Sequence, residues 1–188
     1  YNYEYDKIVS LGEILSTKIV QAYLKEAQLN SQWKDVRDFI QTDNTYREGK
    51  VDWELTQSLV NQHLMTEINS PFEGGKGDDG AIIVTQGFIG GTSENFTTTL
   101  GREGSDYSAA MMAAMLGGTG VTIWKDVEGL KNADPKIFND TVKIEAITYH
   151  EVIEMAYYGA QVIHPKTIKP LQNNNIPLYV KCFLNKDL

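Results

Sequence analysis

The order of apolar segments along the chain predicts an α/β fold built on a mainly parallel sheet. Short runs of β-favouring residues alternate with stretches of helical period from one end to the other, the pattern of strand–helix–strand crossovers. One run, Ile82-Ile83-Val84, is apolar at consecutive positions, as in a strand covered by helices on both faces. A glycine-rich stretch then leads from strand to helix, the junction where open α/β sheets gather ligand-binding groups.

Taken in order, Ile8, Leu11, Leu15, Ile19 and Ala22 recur at three- and four-residue steps. They place one apolar stripe on a helix over residues 5–25, and that stripe is expected to face the core. Residues 33–40 read as a short strand closed by a Thr42-Asp43-Asn44 turn. Leu55, Leu59 and Ile68 mark a second helix over residues 52–69. The Gly- and Asp-rich residues 70–80 read as an exposed connection, dividing the chain into lobes at 1–80 and 81–188. Residues 81–86 form the next strand. Residues 105–116, dense in Ala and Met, form a helix stopped by Gly117-Gly118. Residues 121–124 are a buried strand. Thr148 and Glu151 make a capping-box pair opening a helix with Val152, Met155 and Ala156, which ends at Gly159. Pro165 suits the first turn of a short helix, Asn173 to Asn175 form a turn, and residues 176–183 are a last strand.

With 188 residues, 41% of them hydrophobic, the chain can bury a sizeable core. Its 25 acidic against 17 basic residues give a net charge of -8, which steers it away from nucleic acid and anionic membranes. Any phosphate it binds must be held locally. The longest nearly continuous apolar stretch, residues 109–116, is far short of the ~20 residues of a membrane span, and no charged-then-apolar leader opens the chain. A cytoplasmic location is expected. The single cysteine, Cys182, excludes an internal disulfide framework, and no Cys/His spacing suits zinc, so no protein-held metal is expected. The start at Tyr1, without Met and almost at once in a helix, reads as part of a longer protein.

Chemistry concentrates in residues 86–106. A strand leads to Gly87, Gly90 and Gly91, then to Thr97-Thr98-Thr99, then through Gly101, Arg102 and Gly104 to Ser105 and Asp106 at the start of a helix. Glycines let a backbone approach an anion, threonine hydroxyls add donors, and Arg102 carries a planar fork suited to a carboxylate or phosphate. Two familiar phosphate motifs fail on spacing. Gly49-Lys50 and Gly75-Lys76 are followed by Val51 and Gly77, and no G-x-G-x-x-G separates a strand from a helix. The competing reading is a glycine-rich surface loop whose Asp106 merely sits in the field of a helix N-terminus.

Gly87-Phe88-Ile89-Gly90, Thr97-Thr98-Thr99-Leu100-Gly101-Arg102 and Gly104-Ser105-Asp106-Tyr107-Ser108 resemble the signature of aspartate kinases in the amino-acid kinase superfamily. The resemblance continues through Gly12-Glu13 with Ser16, Val36-Arg37, Ile123-Trp124 with Asp126, Ala133-Asp134-Pro135, and Glu154-Met155-Ala156 to His164-Pro165. It implies the three-layer α/β sandwich of the amino-acid kinase (carbamate kinase-like) fold, incomplete at its N-terminus. It further implies ATP-dependent phosphorylation of the side-chain carboxylate of L-aspartate, the first step toward lysine, threonine and methionine. Magnesium would be held through the ATP phosphates, and the parent enzyme would be a homo-oligomer.

By the same resemblance the first lobe holds aspartate and the second ATP. Arg102 pairs with an aspartate carboxylate, Phe88, Ser105 and Asp106 line that pocket, and Glu13 faces the amino group. Asp106 also positions the cations that neutralise the transferring phosphoryl group, so Asp106 and Arg102 carry catalysis. Lys125, Asp126, Lys131, Ala133, Asp134, Lys136 and Gln161 fall on the nucleotide-binding positions. The chain departs from the usual pattern at several of these. Lys125 stands for Thr, Leu130 and Lys131 for Tyr, Lys136 for Arg, and Gln161 for a phosphate-contacting lysine. Lys125, Lys131 or Lys136 are therefore expected to supply the missing charge. His150 and His164 have no partner at ligand or triad spacing and are read as structural, and Cys182 as inert. The family's Lys-Phe-Gly-Gly-Thr motif is not found, and its ACT domains would lie past Leu188, so this chain alone is expected to be inactive. Two alternatives remain open: a kinase for another amino acid such as glutamate, and a noncatalytic ligand-binding or oligomerisation module of the same fold.

Overall fold

The computed structural model describes residues 1–68, 81–160 and 162–184. The proposed connection at residues 70–80 and Gln161 lie outside them. The chain divides into two compact units, Tyr1–Ser108 and Ala109–Leu188. Strand pairing joins residues 82–84 to residues 31–33 within the first unit.

In the first unit, α1 (Asn2–Glu26) precedes β1 (Ser31–Trp33). β1 pairs in parallel with β2 (Ile82–Val84), Ser31 opposite Ile82. β3 (Ile89–Gly91) and β4 (Thr97–Thr99) form an antiparallel hairpin. Its turn is closed by the Thr92 N–H donating to Phe96 O and by Thr92 Oγ1 accepting from Phe96 N–H. The β-branched threonine run and the Ser93-Glu94-Asn95 turn residues signalled this hairpin, which the sequence reading left unassigned.

α1 inverts the expected amphipathicity. Ile8, Leu15 and Ile19 are 65%, 60% and 69% exposed, whereas Asp6 is 0% exposed and Ser10 and Gln21 are buried. The inward face carries polar groups at positions 6, 10, 13, 17 and 21, several of them hydrogen-bonded to the strands. Gln21 Nε2 donates to Ser31 O at 2.8 Å and to Ser31 Oγ at 3.0 Å. Thr17 Oγ1 accepts from Trp33 Nε1 at 3.0 Å and from Gln86 Nε2 at 2.9 Å. Gln86 Oε1 in turn accepts the Val36 N–H at 2.8 Å. Periodicity detects an apolar face but not which face is covered. Here hydrogen bonding to strand ends fixes the helix, and satisfied polar groups can be buried without large penalty.

The strand expected over residues 33–40 ends at Trp33. Asp35 then caps a short 3-10 turn, Val36–Asp38, by accepting the Arg37 N–H. Val36, Phe39 and Ile40 are nonetheless fully buried, so their apolar character reflects core packing and not a ladder. The second helix runs as α2 (Trp53–Val60), a π turn (Asn61–Met65) and a last turn, α3 (Thr66–Ile68). It buries Thr56, Val60 and Leu64, while Leu55 and Ile68 are exposed.

α4 (Gly104–Leu116) crosses the boundary between the units. In the second unit β5 (Val121–Lys125) pairs in parallel with β6 (Leu178–Cys182), separated in sequence by α5 (Tyr149–Tyr157) and α6 (Pro165–Asn173). Ala110, Val121, Ile123, Val152, Ile163, Ile168, Leu171 and Ile176 form the core. The Thr148–Glu151 capping box is present as expected. His164 caps α6, its Nδ1 accepting the Lys166 N–H at 3.1 Å, which is the structural role expected of it. Cys182 is buried. Two parallel pairs and one hairpin keep the α/β class. Among the described residues no helix is long and apolar enough to cross a membrane.

Candidate active site

Two loops interlock at the strand-to-helix junction. A Cβ added to Gly87 would lie 3.0 Å from the Cα of Ser105, and one added to Gly104 would lie 2.8 Å from Phe88 Cδ2. The glycines therefore permit an approach that any side chain would block. Phe88 sits at φ 69°, in the left-handed region. That conformation costs an L-residue about 1–2 kcal/mol and persists only where its surroundings over-determine it. The surroundings do: the Phe88 N–H donates to Ser108 Oγ at 3.0 Å, and the Phe88 carbonyl accepts the Leu100 N–H at 2.7 Å. Ser108 Oγ donates onward to Gly104 O at 2.7 Å.

β4 leaves through a tight turn, Gly101 at φ 79° and Glu103 at φ 51°, with Arg102 exposed between them. α4 begins at once, with Ser105 exposed and Asp106 half-buried in its first turn, where the helix field favours a carboxylate. Asp106 Oδ2 is shut off from solvent. Of the expected aspartate-site residues, Phe88, Arg102, Ser105 and Asp106 thus come together in one junction.

Glu13 lies on the inward face of α1, half-buried, and burial alone pushes its carboxyl above the ordinary glutamate range. Nearby in the same unit, burial draws the Asp35 carboxyl upward, but the hydrogen bonds and charge of Arg37 outweigh it and leave it below the usual range. Arg37 also donates to Thr97 Oγ1 at 3.0 Å, bracing the hairpin.

Sequence reasoning missed Asp6, Thr17 and Gln86. The signal for Asp6 was its place seven residues before Glu13, two helical turns along the same face. It went unread because a helical carboxylate is usually solvated.

In the second unit Lys125 ends β5, half-buried, and its carbonyl accepts the Phe183 N–H at 3.0 Å. Asp126 follows, exposed at the carboxyl end of the strand, where such sheets bind ligands. Asp134 Oδ1 accepts the Lys136 N–H at 2.9 Å, and its carbonyl accepts the Ile137 and Phe138 N–H groups, so residues 134–138 form a hydrogen-bonded turn directly after Ala133. Lys131 is paired with Glu128 at 3.4 Å, while Lys136 is exposed.

The first unit thus carries a strand-to-helix junction braced by glycines, with an arginine and a carboxylate beside it, and in the second unit Lys125 closes a parallel strand. The Amino acid kinase family matches residues 2–182, and the chain belongs to that family. It is similar to lysine-sensitive aspartokinase 3 of Escherichia coli, 37% identical over 175 residues that make up 93% of this chain and 37% of that protein. The chloroplastic bifunctional aspartokinase/homoserine dehydrogenase 2 of Arabidopsis thaliana is 35% identical over 180 residues, 96% of this chain and 19% of that protein. The chain therefore spans well under half the length of these relatives. Its backbone matches the crystal structure of E. coli aspartokinase III in complex with aspartate and ADP at a TM-score of 0.88 and 35% identity, over 100% of this chain and 40% of that one. UMP kinase from Bacillus anthracis, at 17% identity and a TM-score of 0.64, shares the fold alone.

Proposed function

We propose that this chain is part of the catalytic region of an aspartate kinase, its first unit holding L-aspartate and its second holding Mg-ATP. The interlock of Gly87-Phe88 with Gly104-Ser105, which sets Arg102 and Asp106 at one junction, carries this reading. Similarity over the whole chain to an aspartokinase solved with aspartate and ADP supports it.

Arg102 pairs with a substrate carboxylate as a planar fork, and Glu13 takes the ammonium group. Phe88 and Ser105 shape the pocket between these charges. An oxygen of the side-chain carboxylate attacks the γ-phosphorus of ATP. The P–O bond forms as the bond to the bridging oxygen of ADP breaks, giving an acyl phosphate and ADP with no proton to transfer. The protein contributes position and charge, without a covalent enzyme intermediate. Asp106 orients the cations that neutralise the transferring group. Lys125, Asp126, Lys131, Lys136 and the Ala133-Asp134 turn contact the nucleotide. Magnesium enters on the ATP phosphates as part of the substrate.

The test is aspartyl phosphate formation, trapped with hydroxylamine, by the full-length protein over a panel of acidic amino acids. Turnover with L-aspartate and not L-glutamate is expected. Turnover with glutamate alone, or ATP binding without turnover of any acid, would overturn the assignment.

A further inference from the structure

Asp6 is the most completely buried carboxylate among the described residues, and no step of the reaction above uses it. Its Oδ2 accepts the Arg47 N–H at 2.8 Å and the Thr99 N–H at 2.9 Å, and its Oδ1 accepts the Thr99 hydroxyl at 3.0 Å. One side chain of α1 thus holds two segments distant in sequence.

Those two segments bracket the turn that presents Arg102. Thr99 ends β4, and the next residue, Leu100, donates its N–H to the carbonyl of Phe88. The Thr99 carbonyl is held in turn by the Gly49 N–H at 2.8 Å. On the other side, Gly101 is pressed against residues 47–48: an added Cβ would meet the Glu48 side chain at Cγ, 3.1 Å away, and Arg47 O at 3.3 Å. Arg47 itself stands at φ 72° and lays its guanidinium over the Tyr5 ring at 4.6 Å, one residue before Asp6. Displacing either segment shifts the Gly101-Arg102 turn.

Asp6 and Glu13 lie seven residues, about two turns, apart on one rigid helix. The helix that carries the ammonium-binding carboxylate therefore also clamps the turn that carries the carboxylate-binding arginine. We propose that Asp6 is a positioning residue, fixing the separation of Glu13 and Arg102 so that the site accepts an amino acid of one length. This inference rests on the functional reading above.

The experiment measures steady-state kinetics of the full-length protein with Asp6→Ala, Asp6→Asn and Thr99→Val, together with thermal stability. Asp6→Ala orphans two backbone donors and is expected to raise KM for L-aspartate at least about tenfold, since misplacement by an ångström is costly in such sites. KM for ATP should stay within about twofold. Asp6→Asn keeps an acceptor of the same shape and should restore most of the affinity, and Thr99→Val, which loses only the hydroxyl contact, should fall between. Selectivity against L-glutamate should narrow in the same order. A lowered melting temperature with KM for aspartate and amino-acid selectivity unmoved in all three variants would overturn the inference, as would equal changes in both KM values. A wild-type protein that neither binds nor phosphorylates aspartate removes the functional reading and this inference together. Wild-type activity with unmoved variants removes the inference alone.

Discussion

Gly104→Ala asks whether the Phe88 loop and the start of α4 are as closely fitted as their geometry requires. Gly104 lies outside the left-handed region, so alanine is conformationally acceptable there, and the helix propensity of alanine would favour the change by up to about 1 kcal/mol. Against this, the new Cβ would lie 2.8 Å from Phe88 Cδ2, 3.2 Å from Leu100 Cβ and 3.3 Å from Phe88 Cα. Leu100 is fully buried and Phe88 is held at both its N–H and its carbonyl, so neither neighbour yields easily. Overpacking then costs about 2–3 kcal/mol, in the upper part of its usual range. The net loss is about 2 kcal/mol, or roughly 4–8 °C in melting temperature for a chain of this size. Gly12→Ala provides the internal control. Its Cβ would meet nothing within 4 Å, so the same substitution should raise stability by up to about 1 kcal/mol. Differential scanning fluorimetry of both variants in this chain reads the signs directly. A Gly104→Ala chain as stable as wild type would refute the close fit of the two loops.

Three further outcomes follow from the same geometry. Thr17→Val strips the acceptor of Trp33 Nε1 and Gln86 Nε2 and should cost about 1–3 kcal/mol in urea unfolding, whereas Leu15→Ser on the exposed stripe should stay within about 0.5 kcal/mol; the reverse ranking would show that α1 packs the other way round. Because the folded pKa of Glu13 is raised, its contribution to stability is fully present below the unfolded glutamate pKa and lost as pH rises through the folded one. Glu13→Gln should therefore melt higher than wild type near neutral pH and lose that advantage in acid, while its affinity for L-aspartate falls; a stability difference that grows on acidification would contradict the burial argument. In the full-length protein, Lys125→Ala or Lys131→Ala should raise KM for ATP or lower turnover, and unchanged kinetics in both would leave the charge absent at Gln161 without a substitute among them.

The α/β class, the order of most elements and the junction at residues 101–106 were readable because they depend on local chemistry. Glycines, a threonine run and a helix-opening Ser-Asp pair leave their marks in sequence. Thr148 with Glu151, and Pro165, likewise announced the helix starts they build. Facing was the part that failed. The stripe from Ile8 to Ile19 is truly periodic, yet α1 buries Asp6, Ser10 and Gln21, and the partners of Asp6 and Gln21 on Ser31, Arg47 and Thr99 are distant in sequence. Residues 36–40 misled for a related reason: Val36, Phe39 and Ile40 fill the core from a turn, and apolar content alone does not separate a turn from a strand.

On the proposed function, the junction of β4 and α4 grips an amino-acid carboxylate through Arg102. Calorimetric titration of L-aspartate into the full-length protein and its Arg102→Ala variant, with ATP titrated as a control, tests it most directly. Loss of a charge-assisted contact worth about 1.5–3 kcal/mol predicts at least a tenfold weaker aspartate affinity with ATP affinity unchanged. Aspartate binding equally well to both proteins would contradict it.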